Sequence, residues 1–548
     1  MAHHDDETTD AVNWKTINQH DRDMVQVALK TGANRRQVMG WLMAAGMTVG
    51  AAGAVVGSAQ RVLADTPKRG GTLRFAWDVH GPGDTLDPNA MFTSLDFARG
   101  RMTYNNLVRM QEDLTVGPEL ATEWAPNKDA TEWTFKLRQG VEFHDGSLMT
   151  ADDVIYSMNR HLGQDTTSRA KSQVSDVKEW VKVDNETVKA VLTGPNAELP
   201  IILGMFHFKV IKDGTTEFQT AIGTGPYQLR EFSPGVRAIH VRNDNYWNSD
   251  VSGPYMDRIE SFAITDAVAR TNALIAGDIH MMGSLNANAI GQIEASGNAS
   301  VFTVPSGKLP EICIATDRDP GNNPDFVMGM KLLQRRDRVL NVVQKGIGTL
   351  ANDQPIGPAY GEGWCSEVND PARDYDPEQA RFYLDRSGVT GAELHVAEVV
   401  TGISDISLIL QREAQKIGFD LRIKKVPNDG YWGAVWGKTP MFVSGWNMRP
   451  SASIQLGLSH HSAGWNPTKF KNERFDSLLD MVRGEVDESK RKEMLCEAQK
   501  LVAEEAGSLI PTHVAYLDAL ASDLRGLPRV PLAGFGGMEW PEFIWRDA

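Results

Sequence analysis

Short alternating strands and capped helices take turns along most of this chain, and that interleaving limits it to an α/β architecture. Thr72 to Asp78 places Leu73, Phe75 and Trp77 on one face, as a strand with one buried side requires. Trp133 to Arg138 alternates in the same way and runs into Gly140. After the turn His144-Asp145-Gly146, Thr150 stands where a helix cap is needed, with Asp153 at the third helical position to close a capping box. Val154, Ile155, Met158 and Leu162 then recur at helical spacing. Gly223-Thr224-Gly225-Pro226-Tyr227 turns into another strand through Leu229. Ala267 to Ile275 predicts a helix ending at Gly277, a residue suited to the left-handed position after a helix. Residues 311–360 read as mixed helix and loop, punctuated by Asn322-Asn323-Pro324 and Gly357-Pro358. Pro377 to Leu384 and Ser404 to Ile417 predict helices, the second stopped by Gly418 and followed by a strand from Phe419 to Val426. Glu473 to Val482 and Asp487 to Glu505 predict two more helices.

The start of the chain has a different character. Arg35-Arg36 precede an apolar run from Val38 to about Val56, and Val62-Leu63-Ala64 offers the small residues a signal peptidase cuts after. This pattern resembles a twin-arginine export signal over residues 1–64, with a mature protein beginning near Asp65 and working in the periplasm. A membrane anchor is the competing reading, since Val38 to Gly57 is nearly long enough to span a bilayer. Gly40, Gly46, Gly50, Gly53 and Gly57 make that run only weakly apolar, which favours the cleaved signal.

Removing the first 64 of 548 residues still leaves far more chain than one ordinary core holds, so two or three lobes are expected. The formal net charge is −15, and the export segment carries equal numbers of basic and acidic residues, so the mature protein keeps that charge. An acidic surface repels phosphate backbones, which excludes nucleic acid as a partner class. Three widely spaced cysteines, Cys313, Cys365 and Cys496, allow at most one bridge, and three buried free thiols is the simpler expectation. No HExxH, paired CxxC, Walker A, GxSxG or GxGxxG string occurs, so a secreted enzyme has no fingerprint to support it and no cofactor is implied. Adjacent side chains on a strand point apart, so His460-His461 reads as a solvated or loop pair and not as a metal site.

An ordered series of strings then narrows the family. Gly70-Gly71-Thr72-Leu73, Thr85-Leu86-Asp87-Pro88, Tyr104-Asn105-Asn106-Leu107-Val108 and Pro118-Glu119-Leu120-Ala121 come first. Trp133 to Gly146 (WTFKLRQGVEFHDG) follows, then Thr150-Ala151-Asp152-Asp153-Val154, Gly223 to Tyr227, Arg242-Asn243-Asp244-Asn245-Tyr246-Trp247, and Ala273 to Ile279. Together, over residues 70–520, these resemble the family 5 solute-binding proteins of ABC importers for peptides and nickel. The resemblance implies an α/β, two-lobed periplasmic binding protein, type II-like and of the large cluster with an extra subdomain, its mixed sheets joined by a hinge. It implies a first-lobe core from residues 65–108, 222–310 and 512–548, an extra subdomain at 109–221, and a second lobe at 311–511. It also implies a monomer that closes on a small solute and delivers it to a membrane permease and its ATPase subunits.

One departure bears on the solute. In oligopeptide- and dipeptide-binding relatives a Trp-x-x-Asp segment supplies the acid for the peptide's amino end. The matching segment here is Trp446-Asn447-Met448-Arg449. A guanidinium prefers a carboxylate or phosphate, so the expected ligand carries an anionic group against Arg449 and lies on Trp446 and Trp432. An internal ion pair with a neighbouring acid is the alternative for Arg449. Asn447 is expected to donate or accept beside Trp446, and the resemblance places Phe92 in the cleft from the first lobe. Peptide, nickel chelate and anionic organic solute (an opine, a modified amino acid, a short acidic peptide) are the ligand classes left open; clustered His and Cys for a protein-supplied nickel site are lacking.

Overall fold

The computed structural model describes residues 67–78, 81–370, 372–428 and 430–547. The export-signal expectation lies outside these residues. The chain divides into a body, Gly70–Ile544, and a small unit of residues 1–69 with 545–548. Within the small unit the Lys68 ammonium donates to Asp547 Oδ1 at 2.8 Å.

The strands that organise the body are, in chain order, β1 (Thr72–Trp77), β2 (Ala121–Pro126), β3 (Glu132–Leu137), β4 (Val177–Lys182), β5 (Thr187–Leu192), β6 (Tyr227–Ser233), β7 (Arg237–Arg242), β8 (Arg258–Ala263), β9 (Met281–Met282), β10 (Ala299–Ile314), β11 (Gly391–Val396), β12 (Asp420–Lys425), β13 (Met441–Trp446), β14 (Ser508–Leu509) and β15 (Thr512–Ala521). The helices that matter here are α1 (Ser94–Thr103), α2 (Ala151–Asn159), α3 (Ala267–Ala276), α4 (Pro324–Leu332), α5 (Pro377–Ser387), α6 (Ile403–Lys416), α7 (Ala452–Ser459), α8 (Glu473–Gly484) and α9 (Glu488–Glu505).

One large mixed sheet runs in the order β12-β11-β13-β10-β15-β9-β1-β8-β7-β6. Leu73, Phe75 and Trp77 do share a face, and they pack with Tyr227, Phe535 and Trp540. Ala76 faces the other way, onto Leu274 of α3 and Met282. The other end of the sheet has its own core, where Ile312, Leu394, Leu421 and Val443 meet Phe326 of α4, Leu384 of α5 and Leu410 of α6. A separate four-stranded sheet, β2-β3-β5-β4, buries Phe135 and Val188, and its core continues into Leu456, Phe475 and Val502 of α7, α8 and α9. Polar ties cross the same boundary: Arg491 to Glu198 at 2.6 Å and Arg483 to Asp176 at 3.0 Å.

The local signals that were strong in the sequence sit where the chemistry requires. Asp153 accepts the Thr150 N–H at 2.7 Å at the start of α2. Gly277 adopts φ +81° after α3, a conformation that spares it the Cβ clash other residues would meet. The mixed helix-and-loop reading of residues 311–360 needs correction at its start, because β10 runs on to Ile314. Pro305, Gly307 and Pro310 disguise that strand as loop. They are tolerated because the ladder to β15 shifts register between Val304 and Lys308, after which β10 takes β13 as its neighbour.

The three-free-thiol expectation also gives way. Cys365 and Cys496 form a disulfide across 131 residues, and Cys313 alone is free and buried. Gln499 of α9 reinforces the join, accepting the Cys365 N–H at 3.1 Å and donating to Gly363 O at 2.8 Å. Closing so long a loop stabilises the folded chain by about 2–5 kcal/mol. Reductant, or Cys365→Ala with Cys496→Ala, is expected to lower the Tm in a calorimetric scan.

Burial pulls six imidazoles below their ordinary range: His161, His240 and His460 to about 3, and His144, His207 and His513 to about 4. The unfolded chain protonates these groups near pH 6.5, whereas the folded chain does not until pH 3–4. Between those limits the unfolded state binds more protons, so stability is full above about pH 6.5 and falls as pH drops. Urea midpoints at pH 7, 5.5 and 4.5 should decline in that order.

Candidate functional site

β13 ends at Trp446, and the chain leaves the sheet through Asn447-Met448-Arg449-Pro450 before entering α7. Ser451 caps that helix, accepting the Ile454 N–H at 3.3 Å. The exit segment is thereby held between the central sheet and a capped helix, which fixes the direction of its side chains.

Trp446 is 5% exposed, and its indole N–H donates to Glu311 Oε2 of β10 at 3.0 Å. The other carboxylate oxygen accepts the Ser508 hydroxyl at 2.6 Å. His460 bonds on to Ser508 at 2.9 Å and to Ser459 at 2.8 Å. Burial lifts the Glu311 carboxyl above its usual range, although both donors oppose that. The solvated or loop reading of the His460-His461 pair therefore fails for His460, which is buried inside this chain of hydrogen bonds; His461 is half-buried near Asp476 and Asp480.

Trp446 is one of four indoles in series. Trp465 stacks on it at 5.8 Å and 27°. Trp436 stands edge-on to Trp446 at 6.5 Å and to Trp465 at 6.4 Å. Trp432 stands edge-on to Trp436 at 6.2 Å. Trp432 and Trp465 are 51% and 58% exposed, so the group presents an open apolar wall of aromatic area rather than a closed core.

Arg449 follows Trp446 by three residues in the exit segment. Its backbone N–H donates to the Tyr360 hydroxyl at 3.2 Å. That hydroxyl in turn donates to Gln455 Oε1 at 3.3 Å. Tyr360 belongs to the Pro358–Gly363 turn, which the disulfide and Gln499 hold against α9. Arg449 Nε and Gln455 Nε2 are both buried and reach no acceptor. Among the described residues no carboxylate pairs with Arg449. Burial lowers its pKa, and only the tyrosines Tyr360 and Tyr516 oppose that. An isolated guanidinium withdrawn from water is a costly arrangement unless an anion completes it.

Of the residues singled out in the sequence, Trp446 and Trp432 are brought into one aromatic group, and Arg449 sits instead against Tyr360. Trp446 and Trp432 meet through Trp436, and Arg449 follows Trp446 by three positions. Asn447 is adjacent and exposed. Phe92 is 67% exposed just ahead of α1, and its ring carries the Arg169 guanidinium at 4.6 Å rather than any of these groups. Sequence reasoning passed over Trp436, although it lies one helical turn from Trp432, the spacing at which side chains meet. Trp465, Tyr360 and Glu311 reach the site from distant segments and give no local signal.

A second cleft, of about 590 Å³, opens near Asp317, Met328, Tyr383 and Lys469. Two of its acids are matched by arginines, Asp317 by Arg318 at 2.7 Å and Asp325 by Arg386.

The two-ended sheet around a shared strand defines a two-lobed binding-protein fold, and solved structures agree. HbpA2 from Haemophilus parasuis superposes with TM-score 0.76 at 21% identity, covering 87% of this chain and all of its own. AgaA from A. tumefaciens R10, solved in complex with agropinic acid, superposes with TM-score 0.71 at 20% identity, covering 87% and 99%. The dipeptide-binding protein of Escherichia coli K12 is 24% identical over 478 residues, 78% of this chain and 87% of its own length. Residues 115–466 match the family described as bacterial extracellular solute-binding proteins, family 5 (middle region). The chain belongs to that family: it is a solute-binding protein of the ABC-importer type.

The Glu311–Trp446 bond and the open wall make separable predictions. Trp446→Phe removes a donor from a buried carboxylate and should cost about 1–3 kcal/mol in urea unfolding. Trp465→Phe, at an exposed ring, should change stability by less than about 0.5 kcal/mol.

Proposed function

We propose that this protein is exported by the twin-arginine pathway to the periplasm, where it captures a small anionic organic solute or acidic peptide-like molecule and passes it to an ABC permease driven by ATPase subunits. It acts as a monomer and changes no bonds. Two lobes and an extra subdomain carry this out: residues 65–108, 222–310 and 512–548 as the first-lobe core, 109–221 as the extra subdomain, and 311–511 as the second lobe.

The observation that carries the reading is Arg449, a half-buried guanidinium whose Nε has no acceptor and which no described carboxylate neutralises. The E. coli relative is a dipeptide-binding protein. A dipeptide's ammonium brought to Arg449 would set two like charges together out of water, whereas a carboxylate would gain a charge-assisted bond. The indoles around Trp446 offer the apolar part of the solute an aromatic face. The neighbouring fold solved with agropinic acid is a precedent for an organic acid in such a cleft. A disulfide joining segments 131 residues apart suits an oxidising compartment such as the periplasm.

Isothermal calorimetry against a panel of organic acids and dipeptides tests this. Wild-type protein should bind an acid and no zwitterionic dipeptide. Arg449→Ala should weaken that acid at least tenfold, about 1.4 kcal/mol or more. Arg449→Asp should lose the acid and gain affinity for dipeptide amino ends. Unchanged binding in Arg449→Ala removes the proposal.

A further inference from the structure

The break in β10 faces the corner that holds Arg449. The Gly307 N–H lies 3.0 Å from Met448 Sδ, so Lys308 and Arg449 each stand one residue from a direct contact between their segments. Gly307 permits that approach: a Cβ there would come within 2.4 Å of the Tyr360 ring. Lys308 pairs with Val514 in the ladder, and its ammonium stands over the ring of Tyr516, two residues on, 5.9 Å from the centroid. Tyr516 also acts electrostatically on Arg449. The Tyr516 hydroxyl itself is spent on Leu532 O at 3.0 Å.

Lys308, like Arg449, lacks an ion-pair partner within 4 Å among the described residues. The acids that act on it are Asp518 and Asp78, and burial still pulls its pKa down against both. Asp518 is already occupied: Oδ1 accepts the Ser284 N–H at 3.1 Å and Oδ2 the Phe535 N–H at 2.6 Å. Burial also lifts Asp518 to about 7, so it holds only part of a charge at neutral pH. Asp78 Oδ1 is buried without a hydrogen bond and does not reach the ammonium.

We propose that Lys308 and Arg449 form a two-cation seat, and that the solute carries two anionic groups, one for each. This rests on reading Arg449 as a solute contact and adds the charge of the ligand to it. One carboxylate closes on the guanidinium fork and the other on the ammonium, with the indoles taking the apolar remainder. Because Lys308 lies on the strand that serves both ends of the sheet, a dianion would tie the exit segment of β13 to the register break of β10.

Thermal melting and calorimetry of the full mature chain test this with three probes: glutaryl-phenylalanine (two carboxylates), acetyl-phenylalanine (one) and alanyl-phenylalanine (zwitterion). Glutaryl-phenylalanine should bind wild type at least tenfold tighter than acetyl-phenylalanine. Lys308→Met should erase that difference, and Lys308→Arg should keep it. In ligand-free protein, Lys308→Met should raise the Tm by about 2 °C or more, because an uncompensated cation is replaced by an apolar chain of similar length. A lowered Tm means that Asp518 and Asp78 hold Lys308 for structural reasons and overturns the proposal, even where a probe is the wrong shape. Equal binding of the two acids, both lost in Arg449→Ala, overturns the second anion and leaves the first. Tighter binding of alanyl-phenylalanine than of either acid overturns both.

Discussion

The pairing of β10 is the constraint on which the rest of this structure depends. Over its first half the strand runs antiparallel to β15; from Leu309 onward it pairs with β13. β13 pairs on the edge of β10 opposite to β15, and the ladder to β15 shifts register between Val304 and Lys308. The two hydrophobic cores of the sheet therefore meet through main-chain hydrogen bonds rather than through shared side chains. Such a join can flex at the irregular residues while the ladders on either side stay rigid, which is what a receptor that closes on a solute needs.

Charge is distributed unevenly around that join. Away from it, some buried cations are paired with acids, as Arg101 is with Glu119 at 2.5 Å, Arg99 with Asp84 at 2.9 Å and Arg336 with Asp353 at 2.6 Å, while Lys331 and Arg270 donate to main-chain carbonyls instead. In those places removal of one partner would strand the other in a dry interior. At the join Arg449 has no acid within ion-pair distance among the described residues, and its Nε reaches no acceptor.

Much of this was legible in the sequence, and for physical reasons. The capping residues of α2, the stop of α3 at Gly277 and the face shared by Leu73, Phe75 and Trp77 are decided within a few residues of one another, so local pattern reports them. β10 was not legible, because its prolines and glycines are tolerated only by a register shift that depends on β15, some 200 residues later. The Cys365–Cys496 bridge is hidden for the same reason: three cysteines say that one pair can form, and only the packing of α9 says which. Within the site, Arg449 and Trp446 could be found because they stand in one short string. Tyr360, Glu311 and Trp465 come from three other segments, and nothing local to any of them records the meeting.

The four indoles have an optical consequence. Their transition dipoles lie in a chain of edge-on and stacked pairs with ring centres 5.8 to 6.5 Å apart. At such separations the strong far-ultraviolet transitions of neighbouring rings couple, so the group does not absorb there as four independent indoles. Two of its members face solvent, and anything that settles on them changes the polarity around the whole chromophore. The group is thus readable without any added label, as an exciton couplet of the strong indole transition in far-ultraviolet circular dichroism.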